Sequence, residues 1–170
     1  ENLKVDATET LKENGGYPQG LNARCPLLRV VPKSSQLCKS SDIFRFSVEY
    51  DYNESKDFYL AIALHDLRRG CVAYDTGSKR FRMLNHGHNS ISFQLPLNVF
   101  NNGDFRLVAS LRTLSSNTSA STDMVAFTND RNSCSFAIRD DNNRDYAVLN
   151  DRAVSIVAAE GSLVEDSTDQ

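Results

Sequence analysis

Asp42-Ile43-Phe44-Arg45-Phe46-Ser47-Val48-Glu49-Tyr50-Asp51-Tyr52 alternates without a break, with Phe44, Phe46, Val48 and Tyr50 on one side and Arg45, Ser47, Glu49 and Asp51 on the other. Successive side chains of an extended chain point to opposite faces, so this stretch reads as a strand with one face in a core and one in water. The same period returns over Asp57 to Asp66: Phe58, Leu60, Ile62 and Leu64 point inward, and Tyr59, Ala61, Ala63 and His65 outward. Asn53-Glu54-Ser55-Lys56 joins the two strands, which implies an antiparallel arrangement or a crossover between sheets.

Working outward, Leu27 to Val31 is a short apolar strand stopped by Pro32, and a polar loop runs to Ser41. Arg68-Arg69-Gly70 turns the chain into Cys71 to Thr76. Residues 77 to 90 are expected to form a long loop anchored by Phe81. Asn89 to Leu95 alternates again and ends at Pro96, and the turn Asn101-Asn102-Gly103 launches Asp104 to Thr113, with Phe105, Leu107, Ala109 and Leu111 inward. Ser115 to Thr122 is low in complexity and reads as a loop. Ser133 to Asp140 is a strand with Cys134, Phe136 and Ile138 inward; Asp141-Asn142-Asn143 then turns it into Tyr146 to Leu149 and Ala153 to Ala158. The organisation expected is a polar leader or linker arm over 1–26, one sandwich domain over 27–160, and an acidic tail over 161–170 that frays. Many short strands, turn signals at intervals of about 8–12 residues and no helical period together predict an all-β, immunoglobulin-like antiparallel β-sandwich. The absence of Trp and the cysteine spacing argue against an antibody domain.

At 170 residues the chain suits one domain with a substantial core. Its net charge of −3 and scattered Lys and Arg offer no basic stripe for a phosphate backbone, so nucleic acid is not expected as a partner. Apolar runs such as Leu60 to Leu64 fall far short of the roughly 20 residues of a membrane span. Glu1 to Glu13 lacks the apolar core of a signal peptide, and the start without Met hints at trimming.

Cys25, Cys38, Cys71 and Cys134 form no CxxC pair. Cys71 and Cys134 read as small buried hydrophobes, and reduced core thiols are favoured over the rival, a Cys25–Cys38 disulfide in a secreted protein. Asn53-Glu54-Ser55 and Asn117-Thr118-Ser119 match the glycosylation sequon, a pattern too short to carry weight in a Ser- and Asn-rich chain.

The P-loop, the nucleophile elbow and the zincin helix motif are all missing, so no enzyme activity, cofactor or metal is expected. His86 and His88 flank Gly87 in the long loop without a Cys or carboxylate to complete a ligand set, and a polar turn is the favoured reading. Asp140-Asp141 reads as the capping of a turn.

In order and spacing, Asp42–Tyr50, Phe58–Asp66, Ile91–Leu111 and Cys134–Ile138 resemble the C-terminal domain of Wzt-type polysaccharide ABC transporter subunits. The likeness is carried by the turn Ala61-Ile62-Ala63-Leu64-His65-Asp66-Leu67-Arg68-Arg69-Gly70-Cys71-Val72 and by Pro96-Leu97-Asn98-Val99-Phe100-Asn101-Asn102-Gly103-Asp104-Phe105-Arg106-Leu107, and it covers about residues 27 to 158. It implies a cytoplasmic, immunoglobulin-like carbohydrate-binding domain that recognises the capped, non-reducing end of an O-antigen chain for export. It further implies an upstream ATPase domain, a transmembrane exporter subunit as partner, and a homodimer in which Tyr146 to Ala158 pairs across a two-fold axis. The final segment departs from that pattern in lacking an aromatic Trp.

If the strands at 58–66, 103–113 and 133–140 share a sheet, as immunoglobulin-like order suggests, their outward residues form one surface. Its middle is Ala61, Ala63, Val108, Ser110 and Ala137, bordered by Tyr59 and Arg112 at one end and by His65, Arg106 and Arg139 at the other. Tyr59, His65, Arg106, Ser110, Arg112 and Arg139 are therefore the candidate ligand-binding residues: a sugar ring stacks on Tyr59, and Arg and His donate to hydroxyls or an anionic cap. A solvated sheet face, with Arg there for solubility, accounts for the same residues. The competing function is a secreted or surface immunoglobulin-like domain that binds protein through its edge strands.

Overall fold

The computed structural model describes residues 20–145 and 153–167. Twelve strands follow in chain order: β1 (Leu27–Pro32), β2 (Leu37–Cys38), β3 (Ile43–Tyr52), β4 (Phe58–Asp66), β5 (Cys71–Asp75), β6 (Phe81–Met83), β7 (Gly87–Pro96), β8 (Gly103–Leu114), β9 (Thr122–Phe127), β10 (Cys134–Ile138), β11 (Val157–Ala158) and β12 (Val164–Asp166). They form a four-stranded sheet in the order β1-β3-β7-β11 and an eight-stranded sheet in the order β12-β6-β4-β8-β10-β2, in which β5 also pairs with β4 and β9 with β8. The chain is thus an all-β, two-sheet sandwich. Every pairing is antiparallel except that of β2 with β10, which is parallel.

The inward rows read from the alternation meet between the sheets. Phe44 stacks on Phe136 at 4.6 Å, Tyr52 packs against Phe58 at 4.3 Å, and Phe81 meets Phe93 edge-on at 5.1 Å, each contact joining one sheet to the other. Phe44, Phe58, Leu60, Leu64, Phe105 and Leu107 are fully buried. Burying such side chains contributes about 1.5–3 kcal/mol each, which is why the period-2 segments form strands rather than loops. The β4–β5 turn is closed by Gly70, whose amide donates to the Asp66 carbonyl at 2.8 Å with φ at +68°, a conformation a side chain disfavours. The buried Asp66 carboxylate caps the same turn by accepting from the Arg68 and Arg69 amides.

Several expectations change. Residues 20–26, expected in a leader, belong to the sandwich: Cys25 is buried, Asn22 Nδ2 donates to the Val125 carbonyl at 2.6 Å, and the Phe127 amide donates to the Gly20 carbonyl at 3.2 Å. The stretch 77–90, expected as one loop, contains β6 and the start of β7. The acidic tail does not fray throughout, because β12 pairs with β6, Arg80 binds Asp166 at 3.1 Å and Arg82 binds Glu165 at 2.9 Å. Of the strand expected over Ala153 to Ala158, only Val157–Ala158 pairs, with Gln94 and Phe93 of the same chain. Tyr146 to Leu149 lies outside the described residues. Cys71 is exposed rather than buried, since β5 lies at a sheet edge; Cys25, Cys38 and Cys134 are buried, and all four thiols are free. Cys25 sits by Leu27 and Asp51 at one end of β1 and Cys38 beyond its other end, and six residues of strand rise about 20 Å, too far for a disulfide.

Candidate functional site

The middle of the larger sheet is the β4–β8 pair, whose register runs from Phe58↔Thr113 to Asp66↔Phe105. Alternation sends Tyr59, Ala61, Ala63 and His65 of β4 to the outer face, opposite Arg112, Ser110, Val108 and Arg106 of β8. Small residues occupy the two middle rows and large polar ones the end rows, so the face is low at its centre.

Both flanks of this pair change strand halfway along. On the β4 side, β5 pairs with residues 63–66 and β6 with residues 59–60; on the β8 side, β9 pairs with residues 110–114 and β10 with residues 103–107. A threonine holds each handover. Thr76 Oγ1 accepts from the Ile62 amide at 3.1 Å, and Thr128 Oγ1 accepts from the Ala109 amide at 3.0 Å. Each hydroxyl supplies the acceptor that a continuing neighbour strand would have supplied with a carbonyl. Thr76 and Thr128 also donate their own amides to the Ile62 and Ala109 carbonyls.

Each flank carries a β-bulge as well, between Leu64 and His65 against β5 and between Leu111 and Arg112 against β9. Bulges bend a strand and re-aim its side chains. Val72 and Asp75 of β5 thereby stand beside His65 and Ala63, while Met124 and Phe127 of β9 stand beside Arg112 and Ser110. The result is a groove of about 310 Å³ with Ala61, Ala63, Val108 and Ser110 as its floor.

Of the six residues singled out from the sequence, His65, Ser110 and Arg112 line this groove. Arg112 Nε donates to Ser110 Oγ at 3.1 Å, so the two act as one polar corner. Tyr59 and Arg106 lie on the same face but outside the groove; Tyr59 stands between Arg82 and Arg112, and Arg106 binds Asp130 at 2.9 Å. Arg139 lies beyond the last row and is committed to structure. It binds Asp104 at 2.7 Å and donates to the Gly103 and Ile138 carbonyls, while Arg68 binds the other oxygen of Asp104 at 2.9 Å. The hydrogen bond from Arg139 holds the Asp104 carboxyl below its ordinary value, so this cluster ties the β4–β5 turn to β8 and β10.

The sequence reading missed the walls: Val72, Asp75, Met124 and Phe127. The signal for β9 was the run Met124-Val125-Ala126-Phe127 before Thr128-Asn129-Asp130. Among the described residues no group of three or more His, Cys, Asp or Glu could hold a metal ion, and no helix is long and apolar enough to cross a membrane.

Among the described residues, fold and face define a β-sandwich with a shallow groove across its larger sheet, floored by small side chains, walled by Val72, Met124, Phe127 and the carboxylate of Asp75, and bordered by the Arg112 cation and His65. No protein-family profile matches the chain, and no curated protein matches it.

Proposed function

We propose that this domain is a non-catalytic carbohydrate-binding module, and that it recognises the capped, non-reducing end of an O-antigen polysaccharide for export by an ABC transporter. The observation that carries the carbohydrate reading is the groove itself. Phe127 lines one wall beside a floor of small side chains, and Arg112, Ser110, His65 and Asp75 line its margins. Sugars combine an apolar ring face with polar edges, and an aromatic wall with a few oriented polar groups matches that chemistry. Asp75 is the one carboxylate lining the groove among the described residues, whereas glycoside hydrolysis ordinarily uses a pair, which favours binding over cleavage. The choice of O-antigen, the cytoplasmic location, the exporter subunit as partner and the homodimer rest on the resemblance to the Wzt C-terminal domain.

The test is a pull-down of lipopolysaccharide-derived polysaccharides by the immobilised domain. Retention is expected, with loss of at least about tenfold in affinity for Arg112→Ala or Phe127→Ala and no loss for Arg29→Ala, whose side chain is exposed on the other sheet. No retention of any bacterial glycan overturns the reading and leaves protein binding through edge strands in its place.

A further inference from the structure

We infer, resting on the carbohydrate reading of the groove, that its preferred ligand is a pyranose carrying a methyl group, as in a 6-deoxyhexose or an N-acetylated hexosamine, rather than a fully hydroxylated hexose. What decides is where polar and carbon surface lie in the groove. Ser110 Oγ accepts from Arg112 Nε at 3.1 Å and keeps its own hydrogen to donate, which confines this polar pair to one corner. Thr128 Oγ1 accepts from both the Ala109 amide and Ser133 Oγ, at 3.0 Å each. Asp75 Oδ1 accepts from the Gly77 amide at 2.7 Å. What faces a ligand is then mostly carbon: Ala61, Ala63 and Val108 on the floor, and Val72, Met124 and Phe127 at the walls. Val72 is 58% exposed and Met124 half-buried, so both retain apolar surface for a ligand to cover.

A hydroxyl pushed onto the carbon of Ala63 and Val108, away from the Ser110–Arg112 corner, surrenders its bonds to water for a surface without side-chain donors or acceptors, which costs about tenfold in affinity. A methyl group in the same place gains about fourfold from burial alone. The polar groups at its margins, the Arg112 guanidinium and Ser110 hydroxyl of β8, the His65 ring of β4 and the second oxygen of Asp75 on β5, stand around that carbon floor. They suit hydroxyl or amide groups at the edge of a ring whose methyl-bearing side faces the floor.

The experiment is an NMR titration of the intact chain with free monosaccharides in matched pairs: L-rhamnose against L-mannose, and N-acetylglucosamine against glucose. The expected result is that the methyl-bearing member of at least one pair binds at least about fourfold tighter, the two pairs showing which kind of methyl fits. Val108→Thr, which adds a hydroxyl to the floor without changing its shape, is expected to reduce that preference while leaving the melting temperature unchanged. A preference below about fourfold in both pairs, or tighter binding of the hydroxylated members, overturns this inference and leaves the carbohydrate reading standing. So does retention of polysaccharide with no binding of any of the four monosaccharides. Failure to bind either polysaccharide or monosaccharide overturns both.

Discussion

Thr128→Val replaces a hydroxyl by a methyl of nearly the same size, so its effect isolates the hydrogen bonds at the handover from β9 to β10. Thr128 is only 6% exposed, and its Oγ1 is the acceptor for the Ala109 amide inside the sheet. Removing it leaves that amide buried and unpaired, a loss of about 1–3 kcal/mol, with about 2 kcal/mol the central expectation. Ser133 Oγ loses its acceptor too but is only half-buried and can turn to water, so it adds little. For a chain of this length about 2 kcal/mol lowers the melting temperature by about 4–8 °C. Thr76→Val removes the matching bond to the Ile62 amide at a half-exposed position and should cost about half as much. The sites lie on opposite flanks of the β4–β8 pair, so the double variant should show the sum. Urea unfolding followed by far-ultraviolet circular dichroism gives the stabilities, and amide exchange gives the protection of Ala109 specifically. A Thr128→Val variant within about 0.5 kcal/mol of the parent, or a Thr76→Val variant that costs more, would refute the idea that these hydroxyls stand in for strand carbonyls.

Further outcomes follow from the thiols, the buried phenols and one orphaned hydroxyl. A thiol reagent should modify the exposed Cys71 at once and Cys25, Cys38 and Cys134 only on unfolding; fewer than four reactive thiols in denaturant would reveal a disulfide. Burial pushes Cys25 and Cys134 up to about 11 and Tyr50 up to about 12, above unfolded values of about 8.5 and 10. Folded values raised in this way contribute stability that is complete below about pH 8.5 and is lost as pH rises through 11 to 12, so unfolding free energy should be flat near neutrality and fall above about pH 9. Constant stability up to pH 11 would contradict the burial of these groups. Tyr52 Oη is buried without a hydrogen-bond partner among the described residues, so Tyr52→Phe should raise stability by about 1 kcal/mol in urea titrations. A loss of stability would mean that this hydroxyl does have a partner.

The long strands were legible because each buries one face, and burial writes itself into sequence as period 2. β3, β4, β7 and β8 all carry that mark, and the pairing of Tyr59 with Arg112 and of His65 with Arg106 follows once β4 and β8 are adjacent. The walls of the groove were not legible. β6 and β12 are three residues each and exist because they pair with each other, with β6 held to β4 as well, not because their own sequence demands it. In β9 the bulge leaves Val125 and Ala126 both buried in succession, which breaks the alternation and hides Met124 and Phe127. Arg139 looked like a ligand-binding residue because its parity is outward, but parity says nothing of partners, and Asp104 claims its guanidinium. Cys71 misled in the opposite sense: its β-like run is real, yet β5 is an edge strand with water beside it.

The most direct test of carbohydrate binding by the outer face of the larger sheet is an amide shift map of the labelled domain with a retained oligosaccharide. The account predicts changes confined to β4, β5, β8 and β9, largest at Ala61, Ala63, Ser110, Arg112 and Phe127. Changes centred on β1, β3 and β7 of the other sheet, or at the ends of the sandwich with this face silent, would contradict it.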